Sequence, residues 1–396
     1  MSKRFPGGIL SGGFNPLQAP NAPTGVTASG GDASASVSFT APTNVGGSAI
    51  TGYTVQSNPD GVAATGSASP ISVTGLTNGT AYTFQVWALN SYGPSPAGGP
   101  SGSVTPAAAR ALFGGGGQGA TRQNVIDYVI ISTTGNATDF GDLTVARFYP
   151  AACASSTRGI FAGGGADTGL SNVIDYVTIA TAGNATDFGD LLTARVAIAG
   201  CNSSTRGLIG GGGLSIEYIT IATTGNGTSF GNLTVSRSTY CPGACSSPTR
   251  GVWAGGGDPA VNVIDYVTIA TTGNATDFGD LTQARNNLCG FSSSTRGVFA
   301  GGDFGNYSNV IDYITIATTG NATDFGDLTV ARLEQPGGAS SQLRGLIGGG
   351  SASGAANSNI IDYVTIASTG NALDFGDLTV GRYGLAGCSS ANGGLA

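Results

Sequence analysis

The eleven residues TGNATDFGDLT stand unchanged at Thr134, Thr272 and Thr319, and with a few replacements at Ala182, Thr224 and Thr369. The copies start 42 to 50 residues apart. A period of that length means that one supersecondary unit is repeated, and that no unit buries its apolar face without its neighbours. Each repeat contains four strand candidates, shown by VAIAGCNSS, RGLIGG, NVIDYVTIA and ATDFGDLTVAR. The third strand is apolar at both parities: Val263, Val267 and Ile269 point one way, and Ile264, Tyr266 and Thr268 the other. A strand packed on both sides fits four-stranded sheets stacked radially.

Sets of second, third and fourth strands begin at Arg110, Arg158, Arg206, Arg250, Arg296 and Arg344, which makes six. The first set has no first strand of its own, and a spare one, YGLAGCSS, follows the last set at Tyr383. Placing the spare beside the first set removes an open sheet edge. The expectation is an all-β chain in which residues 107–396 form a six-bladed β-propeller closed by the C-terminal strand. The Gly pair ending the second strand, the Tyr of the third and the Arg ending the fourth resemble kelch repeats, although the kelch Trp is missing.

Residues 19–106 read differently, with short alternating runs broken by Gly, Pro and Asn turns, as in a seven-stranded sandwich. The run APTGVTA, SVSFTAP, ITGYTVQ and VTGLTNGTAYTFQVWALN resembles a fibronectin type III domain. Phe39 stands at its core Trp position, Tyr53 is its central aromatic, and Leu76 with Tyr82 match its tyrosine corner. The resemblance implies a spacer. Residues 1–18 form a Gly/Pro-rich arm with isolated apolar residues, among them Phe5, Ile9, Leu10 and Phe14, too few for a core and suited to anchoring on another protein.

Charge is concentrated in the repeats. Arginine opens the second strand of each set and ends the fourth, at Arg158 and Arg195 for example. Acids recur in step, as at Asp175, Asp187 and Asp190. This pattern predicts structural Arg–carboxylate ladders, since an unpaired buried charge is costly. Five copies of one Asp pair argue against a glycosidase, whose active site is a single asymmetric constellation. The DFGD segments, read as turns, lack the dense oxygen spacing of an EF-hand loop, and calcium there stays an open alternative.

Other chemistries lose their residues. The chain has no His and a single Lys, Lys3, which removes Ser-His-Asp triads, imidazole metal sites and Walker loops. No metal or cofactor is expected. A net charge of −7 offers no basic patch for nucleic acid or anionic lipid. The six Cys form no CxxC and read as small buried hydrophobes. The opening segment has Pro and Gly where a secretory signal needs an unbroken apolar run, so cytoplasmic synthesis without Sec export is expected.

What varies among the repeats lies in two sets of connections: those between second and third strands, and those from a fourth strand to the next first one. In an up-and-down sheet both sets emerge at the same end. They carry Phe148, Tyr149, Tyr240, Asn286, Asn287, Phe304, Asn306, Tyr307, Glu334 and Tyr383, a mixture of aromatics and amides suited to sugar or protein. The SKRFPGGILSGG opening and the NVIDYVTIATTGNATDFGDLT repeats resemble phage structural proteins of marine or cyanobacterial type. That resemblance implies a non-enzymatic virion appendage, a capsid or tail fibre bound to other virion proteins by its arm and to host glycan or protein by its variable face. Two alternatives remain open: a purely structural decoration protein, and a depolymerase. Homo-oligomerisation is open as well.

Overall fold

The computed structural model describes residues 17–303, 305–352 and 357–391. The anchoring residues expected at Phe5, Ile9, Leu10 and Phe14 lie outside the described residues, as does Phe304. Among the described residues all regular structure is β, and the division between two compact units falls between Ala108 and Ala109.

In the first unit, strands Thr24–Gly31, Ser34–Thr40 and Ile71–Thr74 form one sheet. Ala63–Gly66, Gly52–Asn58, Thr83–Asn90 and Gly93–Pro94 form the other. Period-two alternation puts Val37, Val55, Val73, Phe84 and Val86 between them. Phe39 and Tyr53 pack with ring centroids 4.7 Å apart. The Tyr82 hydroxyl accepts from the Thr77 amide at 3.1 Å and donates to Asp60 at 2.7 Å, tying the corner after Leu76.

Among the described residues, the second unit contains six sheets of four or five strands and two smaller ones formed by its connections. Strands Ala151–Ala154, Arg158–Ala162, Val173–Thr178 and Thr186–Asp190 pair antiparallel in that order, and the next four sheets repeat the order. The remaining sheet is assembled from both ends of the unit, with Ala386–Ser389 pairing alongside Arg110–Gly114, followed by Val125–Ile130 and Thr138–Asp142. Each core lies between consecutive sheets: Phe113 and Val129 pack with Leu346 and Phe375, and Leu112 and Phe140 with Phe161 and Val177.

The joints between sheets explain the repeated words. The Arg that ends each fourth strand is buried and pairs with the third-strand carboxylate of the next sheet: Arg147–Asp175 at 2.7 Å, Arg195–Glu217 at 3.1 Å, Arg237–Asp265 at 2.5 Å, Arg285–Asp312 at 2.9 Å and Arg332–Asp362 at 2.7 Å. Arg382 makes the same pair with Asp127 of the first set, at 2.9 Å. The Asn of TGNATD accepts from the backbone of the preceding sheet, as Asn184 does from Asp142 at 3.1 Å and Asn136 from Asp377 at 3.1 Å. Beside it, Gly183 and Ala185 amides bond the Phe140 and Asp142 carbonyls at 2.7 Å each, so this connection adds a short strand to its neighbour's edge. The approach is so close that a Cβ on Gly141, held at φ +144°, would lie 2.5 Å from the Gly183 carbonyl.

Three expectations are corrected here. The DFGD segment is a strand with a bulge between Ile126 and Asp127 on its partner, and not a turn. Asp187 and Asp190 form no ion pair among the described residues. Arg158, too, stands outside the carboxylate ladder: it stacks on Tyr176 at 4.4 Å and donates to the Ile221 carbonyl at 2.9 Å. The stem of a second-strand Arg runs over an exposed edge, where an aromatic face and a carbonyl offer more than a screened carboxylate.

One joint departs from the others in three places together. Where five repeats have Asp on the third strand, the third has Glu217. Where the other joints have Thr, which in Thr144 donates to the carboxylate of Asp175 at 2.5 Å, the second repeat has Leu192. Gly227 replaces Ala, and a Cβ there would sit 2.5 Å from Glu217 Oε2. The longer carboxylate thus occupies the space of a missing methyl. Gly227→Ala alone is expected to cost about 1–2 kcal/mol by overpacking. The triple change Leu192→Thr, Glu217→Asp and Gly227→Ala is expected to recover most of that loss, as measured by urea unfolding.

All six cysteines are buried and free. Burial pushes the Cys153 and Cys289 thiols up to about 12. Alkylation of the folded protein at pH 8 is therefore expected to be about a thousandfold slower than for a free thiol, with all six reacting after unfolding in urea. A thiol that reacts at the ordinary rate in the folded chain would contradict this packing.

Candidate functional site

The site is built at the end where fourth strands hand over to first strands. The six handovers present six different residues at one position, Tyr149, Ala197, Cys241, Asn287, Gln335 and Gly384, and five kinds at the preceding position, Phe148, Val196, Tyr240, Asn286, Glu334 and Tyr383. Backbone bonds link these segments. Tyr149 donates to the Gly384 carbonyl at 2.6 Å and Gly384 to the Glu334 carbonyl at 2.8 Å. Gln335 donates to Asn287, and Asn287 to Cys241, each at 2.8 Å. Tyr149, Ala197, Asn287, Glu334 and Gln335 all have positive φ, between 43° and 62°. Left-handed backbone costs a non-glycine residue on the order of 1–2 kcal/mol, and such strain collects at functional sites.

Aromatic rings line one side. Phe148 and Tyr149 have centroids 4.9 Å apart, and Tyr149 and Tyr383 are 6.2 Å apart. Arg122, from the connection between second and third strands, lies over Phe148 at 4.8 Å and pairs with Asp167 at 2.7 Å. Tyr383 exchanges backbone bonds with Gly117, and its hydroxyl donates to the Gly119 carbonyl at 2.9 Å. Both families of variable connection therefore meet here.

Electrostatics set Glu334 apart. Its carboxyl is raised above the usual range, first by burial and further by Asp303, against a hydrogen bond from Ser351. Burial also raises the Tyr149 phenol, with Cys241, Glu334, Tyr383 and Tyr240 adding to the effect. Tyr383 is raised by burial and by Glu334, with Arg122 opposing.

Of the ten residues expected to bind a ligand, Phe148, Tyr149, Glu334 and Tyr383 come together, and Tyr240 joins them electrostatically at 40% exposure. Asn286 and Asn287 are not surface groups: they are 7% and 3% exposed. Asn286 exchanges backbone bonds with Asp303 and donates through Nδ2 to Gly257, while the Asn287 side chain accepts from Cys241. Their amides support the connections, a use that periodicity does not distinguish from display. Tyr307, 39% exposed, bridges to Asp303, and Asn306 is exposed. Sequence reasoning missed Gln335 and Asp303. The signal for Gln335 was its position, one residue beyond Glu334 in alignment with Tyr149.

The space between the first strands offers little room. Gly387 packs so closely on the next first strand that a Cβ would meet the Gly338 carbonyl at 2.5 Å. Two cavities along it measure about 40 and 30 Å³, enough for a water or two and far short of a sugar ring. Gln335 lines the smaller one and leaves its Oε1 unpartnered. No group of three or more acidic or cysteine side chains positioned to hold a metal occurs among the described residues.

Comparison with known proteins identifies a fibronectin type III domain at residues 21–103. Among solved structures, the chain is 28% identical to a crystal structure of consecutive titin domains, covering 22% of this chain and 32% of that one, with a TM-score of 0.22. The structure of YjhT is 9% identical over 63% of this chain and 94% of its own, with a TM-score of 0.47. The chain thus spans about a third of the titin structure. No curated protein matches the sequence.

Proposed function

We propose that residues 109–391 form a closed six-bladed, kelch-like β-propeller and that the protein is a non-enzymatic virion appendage whose variable end binds a host surface glycan or protein. In this reading the fibronectin type III domain is a spacer and the N-terminal arm attaches to the particle. Closure is supported by the joint from Arg382 to Asp127, which has the same chemistry as the other five, and by the pairing of Ala386–Ser389 with Arg110–Gly114.

One observation carries the functional reading. The joints repeat nearly word for word, while the six handover positions at one end hold six different residues, several in strained backbone and with three aromatic rings in a row. A scaffold held constant beneath a varied end is what recognition by loops requires. The phage attribution rests on the resemblance of the opening segment and of the repeats.

The test is retention of the full chain on a panel of host surface polysaccharides, with Tyr149→Ala as the control. Retention that falls at least about tenfold in the variant supports recognition at this end. Retention by no polysaccharide and no host surface protein, with the chain still present in particles, would favour the decoration protein instead.

A further inference from the structure

We propose that Asn226–Gly227 is a site of spontaneous deamidation, and that the joint between the second and third repeats sets its rate. Five copies of the repeated connection read Asn-Ala, at Asn136, Asn184, Asn274, Asn321 and Asn371, and the third repeat alone reads Asn-Gly. Glu217 makes that glycine necessary, since a Cβ at position 227 would lie 2.5 Å from its Oε2. With no Cβ on the following residue, the Gly227 nitrogen is the least shielded of the six from the Asn side-chain carbon. Attack of that nitrogen on the Asn226 carbonyl carbon forms a C–N bond and breaks the bond to the side-chain amide. Ammonia leaves, carrying the Gly227 proton. Water then opens the cyclic imide at one of its carbonyls and yields aspartate or isoaspartate.

The fold engages both reacting groups. Asn226 Oδ1 accepts from the Asp190 amide at 3.0 Å, and the Gly227 amide donates to the Asp190 carbonyl at 2.8 Å. One residue of the preceding sheet thus occupies the group attacked and the group that attacks. Asn226 is exposed, so water reaches it, while Gly227 is buried. Cyclisation requires the connection to lift off the strand Thr186–Asp190, a local opening that costs less than unfolding. This joint is also the least tied. Its ion pair, Arg195–Glu217 at 3.1 Å, is the longest of the six. The carboxylates of the other five each accept from a Thr hydroxyl, and Leu192 supplies none. Isoaspartate reroutes the main chain through the former side chain, so the two bonds to Asp190 no longer form together. In the first unit, Asn78–Gly79 is held by other partners: Asn78 Oδ1 accepts from the Ala33 amide at 2.8 Å, and the Gly79 amide donates to the Pro106 carbonyl at 2.8 Å.

The experiment follows the full chain in mildly alkaline buffer by peptide mapping and mass spectrometry, which separates Asn226 from Asn78 and from Asn392–Gly393, a pair outside the described residues. Asn226 is expected to deamidate at least about tenfold faster than any of the five Asn-Ala sites, and at least about tenfold more slowly than in a synthetic peptide spanning residues 222–231. Arg195→Ala, which strands Glu217, is expected to raise the Asn226 rate at least about threefold and to leave Asn78 unchanged. Arg285→Ala, which breaks a different joint, is expected to leave the Asn226 rate within about twofold. The triple change Leu192→Thr, Glu217→Asp and Gly227→Ala is expected to bring it down to the level of the Asn-Ala sites. If Arg195→Ala does not fold, hydrogen exchange across residues 222–228 of the unchanged protein measures the same opening, and it is expected to be faster there than in the five equivalent connections. A folded chain that deamidates at Asn226 as fast as the peptide, an Asn226 no more reactive than the Asn-Ala sites, exchange no faster than in the other connections, or equal acceleration by Arg195→Ala and Arg285→Ala would overturn the proposal.

Discussion

Replacing Arg382 with alanine is expected to destabilise the second unit by about 3–5 kcal/mol, because it strands the fully buried Asp127 without its cation. The Thr379 hydroxyl and amide, at 2.5 and 3.3 Å, would be the remaining side-chain-directed donors to that carboxylate. Arg147→Ala is expected to cost the same within about 1 kcal/mol, since Arg147 and Asp175 are equally buried. Equality has a specific meaning: the joint between last and first repeats bears the same load as one between chain neighbours. Arg344→Ala, which removes a guanidinium 4.8 Å from the Tyr363 ring, is expected to cost only about 0.5–1 kcal/mol. The double variant Arg382→Met with Asp127→Leu should regain most of the loss, because removing both charges removes the desolvation penalty. Urea unfolding of all five proteins decides the matter, and a loss for Arg382→Ala well below that for Arg147→Ala would mean that the two ends separate readily.

Ending the chain at Arg382 is expected to have the largest effect of any change considered. It removes the strand Ala386–Ser389 and with it the buried Leu385, Ala386 and Cys388 from two neighbouring cores. Emptying a single buried Leu site typically costs about 2–5 kcal/mol, and here a whole strand leaves. The edge of Arg110–Gly114 would then present unpaired backbone groups to other chains. Loss of soluble protein, or a melting temperature lower by at least about 10 °C, is the expected result. A synthetic peptide spanning residues 383–391 should restore part of the loss. A truncated chain that melts like the full one would contradict the sheet assignment.

Periodicity made the strands legible, because a third strand apolar at both parities has few alternatives to burial on two sides. It also exposed the spare YGLAGCSS. Partners across the joints were harder to read. Sequence showed that Arg and Asp recur in step, but Asp175 serves Arg147 of the preceding repeat rather than Arg195 of its own, and Asp187 and Asp190 pair with no Arg among the described residues. Spacing along a chain carries no information about which copy supplies a partner when all copies are alike. The candidate site was half legible. Tyr149 and Tyr383 announced themselves as aromatics in variable segments, whereas Asn286 and Asn287 look the same in sequence whether they face water or hold a neighbouring backbone. Glu334 joins this end through the backbone bond its carbonyl accepts from Gly384, a property of three-dimensional neighbourhood.

The likeness of the Arg382–Asp127 joint to those between chain neighbours has a consequence for where such a chain could begin. Ala391 packs in the same cluster as Ala109, Ala111 and Phe113, so the two ends of the second unit already lie side by side. Linking them and reopening the backbone between Arg237 and Gly243, for example, would leave every contact but one connection in place. Where the chain enters the second unit is thus a matter of connection rather than of contact, since its end segments are joined by the same chemistry as its chain neighbours.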